Sequence, residues 1–367
     1  IAGNLDVGSG IDVTGAIIGT ADATINGVTV GKGANSATGN TVLGVDALDD
    51  AVTGGFNTAI GQTSLSANTS GVANVALGQR ALRLNTTAGH NTAIGTNALD
   101  TNSTGEYNTA CGRSALFGNT TADNNVAVGY AALNANTLGT YNTAVGTNAL
   151  DANTTANFGT AVGMNALGSN TTGAKNVAVG YNALSTATTA TYNTAVGTDA
   201  LEFNTSGNNN VAVGTAALEA NTTGVKNTGI GAEALFKNQT GSANVALGCD
   251  ALVENVAGSD NTAIGFFSLN KTTGSNNTAV GRAAVESNTS GAMNVGIGVQ
   301  ALGSNTTASS NVAVGWKASF TNQTSGSNVA VGHTALYHNT AQRNTAVGFE
   351  SLKNTTTGAY NTAVGWH

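Results

Sequence analysis

The chain has 367 residues, of which 50 are Gly and none Pro, with 8% charged residues and a formal net charge of −7. The glycines form no Gly-X-Y triplets, which excludes collagen, and the charge is too sparse for a disordered polyelectrolyte. No basic stripe offers a nucleic-acid groove, and no apolar run approaches the roughly 18 residues of a membrane-spanning helix, so neither partner is expected.

Residues 1–39 read as a β-rich leader. The chain opens with Ile1, shows no signal-peptide pattern and stops at His367 within the turn of a fresh repeat. A segment of a longer polypeptide is therefore expected. Gly8-Ser9-Gly10 precedes no helical pattern, so a phosphate-binding loop is not expected there.

From residue 40 to 367 the chain repeats. With the first Asn of Asn-Thr-Ala-Val-Gly as column 0, there are 20 copies in 19 steps, 17 of them 17 residues long and two 16. Column 0 is Asn (Asn57, Asn91, Asn142, Asn193 and Asn261 among them) except at Gly159. Column 1 is Thr or Val, column 2 mostly Ala, column 3 Val, Ile or Leu, and column 4 always Gly, as at Gly61, Gly95, Gly146, Gly197 and Gly265. Columns 7 and 8 read Ala-Leu, and columns 11 to 14 approximate Asn-Thr-Thr-Gly. Within the repeats Asp, Glu, Lys and Arg occur only at columns 5, 6, 9, 10, 15 and 16. Columns 0 to 4, 7 and 8 are accordingly expected to be buried and the rest solvated.

A coil of this length holds two strands of about five residues and two turns of three or four. Only two apolar steps occur per coil, which favours a flattened, two-sided roll. Stacking at about 4.8 Å per layer predicts a parallel ladder and a rod of roughly 95 Å. Strand alternation sends columns 1 and 3 one way and columns 0, 2 and 4 the other. A thin coil buries one strand face in its own interior. The second charge-free face then calls for identical chains around a shared axis. The column 0 asparagines are expected to form a hydrogen-bonded ladder, and the column 4 glycines to hold turns.

Asn-Thr-Ala-Val-Gly (Asn142 to Gly146) and Asn-Val-Ala-Val-Gly (Asn176 to Gly180) resemble the head repeats of trimeric autotransporter adhesins, whose motif is of the Asn-Ser-Val-Ala-Ile-Gly type. The longer unit NVAVGYNALSTATTATY, Asn176 to Tyr192, resembles repeats of phage tail-fibre and endosialidase-chaperone-type fibre proteins. The leader ADATINGVTVGKG, Ala21 to Gly33, is similar to the segment preceding such arrays. The adhesin heads have a shorter period than this chain. The resemblance implies a left-handed parallel β-roll three chains wide. The expected fold is thus all-β: a parallel β-roll or solenoid of about 20 coils, in an intertwined or side-by-side homotrimer.

No catalytic constellation, cofactor site or metal site is read from the sequence. His333 and His338 share one repeat but suit solvated turns, Asp49 and Asp50 have no recurring partner, and Cys111 and Cys249 are too far apart to bridge. Of 18 aromatic residues, six precede column 0 and six occupy column 5. Packing over turn edges is the plain explanation; glycan stacking at Tyr130, Tyr181, Trp316 and Trp366 is the functional one. Asn-x-Ser/Thr triplets at Asn85, Asn119, Asn153, Asn170, Asn221 and Asn305 read as turn formers rather than glycosylation acceptors.

The expected function is a structural fibre shaft, a tail fibre or adhesin stalk at a virion or cell surface or in the extracellular space. Its partners are copies of itself, in a homotrimer or an end-to-end filament, and a surface glycan or protein receptor. A self-assembling filament subunit and an ice-binding solenoid are the alternatives.

Overall fold

The computed structural model describes residues 22–33, 37–50 and 52–366. Ile1, Gly8-Ser9-Gly10, Ala21, His367 and most of the leader lie outside them. Strands β1 (Ala23–Ile25) and β2 (Val28–Gly31) form an antiparallel hairpin. Its two-residue turn, Asn26-Gly27, has φ of 50° and 80°, the left-handed pair that matches the twist of flanking strands. Strand β2 also pairs antiparallel with β3 (Thr41–Gly44), so the hairpin covers the first edge of the repeat array.

From β3 onward all pairing is parallel. Each coil contributes one three-residue strand, from β4 (Thr58–Ile60) to β22 (Thr362–Val364), bonded in register to the next. Like stacks on like: Thr143, Ala144 and Val145 face Thr160, Ala161 and Val162. The result is an all-β parallel solenoid of about 19 turns with no helix among the described residues.

The interior is narrow and decides three matters: which strand face looks inward, which alternation left open, and two features in which it differs from the sequence expectation. Columns 0 and 2 point inward, but columns 1 and 3 do not: Val145, Val162 and Ile264 remain 36–37% exposed. One coil has one interior, and Asn and Ala are small enough to share it with Ala and Leu from the other side.

The Ala-Leu segment is not a strand. Ala98 and Leu99 are both fully buried, whereas consecutive strand residues point to opposite faces. The backbone solves this by alternating handedness, with Asn97 at φ 59° and Leu99 at φ 51°. Their amides consequently point to opposite neighbours. Asn97 N–H donates to Gln79 O of the preceding coil, and Leu99 N–H to Ala115 O of the following one. Each left-handed non-Gly residue costs about 1–2 kcal/mol; burying the Leu side chain returns about 1.5–3 kcal/mol.

Third, the column 11 asparagines, expected in a solvated turn, are buried throughout: Asn85, Asn119 and Asn221 are at 0% exposure. The two 16-residue coils keep this frame by dropping one exposed residue after it. Thus Asn261 Nδ2 reaches Gly274 O across 13 positions instead of the usual 14.

Candidate functional site

The five ladder asparagines are buried, and each accepts through Oδ1 the amide of the next coil. Asn57 receives Asn74 N–H at 2.9 Å, Asn91 receives Asn108 at 2.9 Å, and Asn142 receives Gly159 at 2.8 Å. Asn193 and Asn261 do the same for Asn210 and Asn277. Each Nδ2 donates to the column 14 carbonyl of its own coil, as Asn142 does to Ala156 O at 2.9 Å. The column 11 asparagines form a second ladder on the same carbonyls: Asn153 Nδ2 donates to Asn136 Oδ1 at 2.7 Å and to Ala156 O at 3.2 Å. One carbonyl per coil thus ties two ladders and closes the loop. The Asn-x-Ser/Thr triplets are explained by this arrangement, because their asparagines are the buried second ladder. Sequence reading missed it because Asn-Thr-Thr-Gly also reads as turn chemistry. The regularity of Asn at column 11 was the available signal.

The glycines of column 4 permit a close approach between coils. Gly61, Gly95, Gly146, Gly197 and Gly265 have φ between 129° and 137°. A Cβ at Gly197 would lie 2.4 Å from Gly214 O, so no other residue fits.

The outward sheet face carries Thr or Val at column 1 and Val, Ile or Leu at column 3 over the whole ladder. It has no charge, and Leu77, Ile94, Val145, Val162, Leu247 and Ile297 are 37–45% exposed on it. Cys111 sits in this row between Ile94 and Val128, as a Val-sized member. Cys249 lies at column 5, where hydrogen bonding to Asp250, with burial, raises its thiol pKa.

Aromatic rings line both margins of this face and stack chiefly along the rod. His90 lies on Tyr107 at 5.1 Å and Tyr141 on Phe158 at 5.3 Å. Arg113 covers Tyr130, Lys175 covers Tyr192 and Arg343 covers Tyr360. Trp316 and Trp366 belong to one continuous column: Trp316–His333 at 4.7 Å, His333–Phe349 at 5.0 Å, and Phe349–Trp366 edge-on at 6.0 Å. Lys317 Nζ sits 4.7 Å from the Trp316 ring centre. His338 meets Tyr337 edge-on instead, so the two histidines of that repeat go to different rings. Tyr181 stands half-exposed, outside these stacks. Trp316, His333 and Phe349 thus stack face to face, whereas Trp366 meets Phe349 edge-on and is 75% exposed.

Two polar features stand outside the sheet face. Asp100, with 1% of its side chain exposed, accepts from Arg83 Nε at 2.7 Å and Arg80 Nη2 at 3.0 Å. Further along, an open groove of about 290 Å³ lies between columns 6 and 9. It is lined by Asn148, Asn165 and Asn182 on one side and by Asp151, Gly168 and Ser185 on the other. Burial raises the Asp151 carboxyl above the usual carboxylate range. Among the described residues, no group of three or more His, Cys, Asp or Glu is arranged to hold a metal ion. No described helix is long and apolar enough to cross a membrane. Neither a protein-family model nor a curated protein matches this chain.

Proposed function

We propose that the chain is a non-catalytic fibre shaft that assembles with two copies of itself through the outward sheet face. The rod holds a receptor-binding region away from a virion or cell surface. The observation that carries this reading is the unbroken, charge-free strip of half-exposed Val, Ile, Leu and Thr. At roughly 100 Å² per coil it amounts to about 2,000 Å² per chain, against about 800 Å² per partner in a standard stable interface. Left in water, so long an apolar face is a liability; a shared axis removes it and stiffens the rod. The likeness of Asn-Thr-Ala-Val-Gly to adhesin and tail-fibre repeats supports three as the number of chains.

The test is the native mass in solution. A particle of three 36.0 kDa chains supports the shaft. A monomer moves the ice-binding reading forward, because the Thr-bearing sheet would then be a free flat face. Very large polymers favour the filament. Val145→Asp with Val162→Asp adds a local test: the trimer should weaken by at least tenfold, about 1.4 kcal/mol or more, while each chain keeps its strand signal by circular dichroism. An unchanged mass in that double variant would place the interface elsewhere.

A further inference from the structure

One stretch of the coil surface opens into a groove. Column 9 holds a large side chain in most coils, such as Arg83, Phe117, Glu202, Phe236 and Tyr337. In the coils beginning at Gly159 and Asn176 it holds Gly168 and Ser185 in succession. Small residues need not leave space. At Gly303, also in column 9, the ring of Phe320 from the next coil lies where a Cβ would be, 2.9 Å away. At Gly168 the corresponding next-coil residue is Ser185. There the nearest atoms to a Cβ would be the backbone carbonyls Asn165 O at 3.2 Å and Asn148 O at 3.6 Å. The space that Phe320 fills in one place is open in the other.

The walls of this opening are chemically specific. Asn165 Nδ2 donates to Asn182 Oδ1 at 3.3 Å, and Asn182 Nδ2 reaches Glu202 Oε1 at 3.5 Å. Among the described residues Asn148 has no side-chain hydrogen-bond partner, and Asn165 bonds through Nδ2, with no donor to its Oδ1. Ser185 adds a hydroxyl, Thr186 Oγ1, which donates to Glu202 O at 2.6 Å, adds an acceptor, and Asp151 closes one end while Glu202, bonded to Asn182, stands just beyond the other. Asp151 and Glu202 are three coils apart, about 14 Å at 4.8 Å per layer. The two carboxylates therefore cannot share a cation, which needs oxygens within about 2.6 Å of it. No Lys or Arg lines the groove, and Glu219, Asp199 and Glu233 extend the acidic surroundings, so an anionic ligand is opposed. No apolar side chain offers a pocket for a peptide anchor. What remains is a strip of amides, hydroxyls and carboxylates, supplying donors and acceptors at the interval of the rungs.

We infer that the groove between Asn148–Asn165–Asn182 and Asp151–Gly168–Ser185 binds a neutral oligosaccharide, with successive pyranose rings along the rod axis. The groove lies in columns 6, 9 and 10, away from the sheet face of columns 1 and 3, so it stands whether or not the chains trimerise.

The experiment is saturation-transfer-difference NMR on the full chain. The probes are methyl β-galactoside, methyl α-mannoside, N-acetylglucosamine and cellobiose, with N-acetylneuraminic acid as the anionic comparison. At least one neutral sugar should receive saturation and the anionic sugar should not. Ser185→Phe should seat its ring over Gly168 as Phe320 does over Gly303, leave melting unchanged, and weaken binding about tenfold or more, since every polar wall is covered at once. Asn148→Ala and Asn165→Ala leave the coil interior untouched and provide a second readout, each weakening binding about three- to tenfold. Absence of transfer to every neutral sugar, equal transfer to the anionic sugar, or undiminished binding in all three variants would overturn the inference. Native mass recorded on the same samples separates that failure from a failure of the trimer.

Discussion

The one break in the column 0 ladder gives a gain-of-stability experiment. At Gly159 the backbone N–H still donates to Asn142 Oδ1 at 2.8 Å, but nothing is passed on. The Asn176 N–H meets no asparagine Oδ1 as its counterparts do, and Gly173 O, without the Nδ2 donor of its own column 0, is reached instead by Asn176 Nδ2 at 3.2 Å, beside Asn170 Nδ2 at 3.0 Å. Gly159→Asn restores both contacts. The bond to the Asn176 amide contributes about 0.5–1.5 kcal/mol, the bond to Gly173 O largely replaces the one from Asn176, and loss of glycine freedom in the unfolded chain adds about 0.4–1 kcal/mol. Fixing the new side chain costs about 1 kcal/mol. The added Cβ would sit 3.0 Å from Asn142 Oδ1 and 3.3 Å from Leu150 Cδ1, which asks for a few tenths of an ångström of adjustment. The expected net gain is about 0.5–1 kcal/mol. It would be read as a higher denaturant midpoint and, locally, as slower hydrogen exchange at the Asn176 amide. An unchanged midpoint together with unslowed exchange at Asn176 would show that the ladder bonds contribute nothing net to the interior, and would refute the reasoning.

Gly197→Val places a Cβ 2.4 Å from Gly214 O at a φ of 137°; local loss of at least about 3 kcal/mol is expected, and unchanged thermal melting would count against the close backbone approach. Arg83→Met leaves the buried Asp100 with Arg80 alone and should cost about 1.5–3 kcal/mol by denaturant unfolding, whereas Arg80→Met, which removes the longer contact, should cost less. Burial raises the carboxyls of Asp49, Asp151, Glu202 and Glu219, and repulsion from Glu202, Asp199 and Glu233 adds to the last. The folded chain therefore binds protons more tightly than the unfolded chain. Their destabilisation is present at neutral pH and is relieved as pH falls through the raised values, complete below the unfolded ones. Melting temperature should rise on mild acidification, and Glu219→Gln should reduce the rise; a steady fall from neutral pH would contradict the assignment.

The sequence by itself determined the period, the parallel in-register stacking and the identity of the glycine column, because a repeated chain that stacks on itself must place like on like. A Gly at every column 4 position marks the place where backbones meet. It also marked the asparagine column, since a polar residue confined to a charge-free set must find a partner. What it did not determine is which way each residue faces. Leu99 and Ala98 look like the start of a strand, yet both must enter one narrow interior, and only left-handed turns at Asn97 and Leu99 allow it. Asn or Asp recurring at column 6 was a faint sign of that geometry. Asn85 and its equivalents look like turn residues, and become core only because the column 14 carbonyl lies within reach across the coil. The groove at Gly168 depends on the next coil as well: Gly303 and Gly168 read alike in sequence, and they part because Phe320 comes after one and Ser185 after the other. Direction, closure and open space are properties of neighbouring coils together, and the tertiary structure alone decided them.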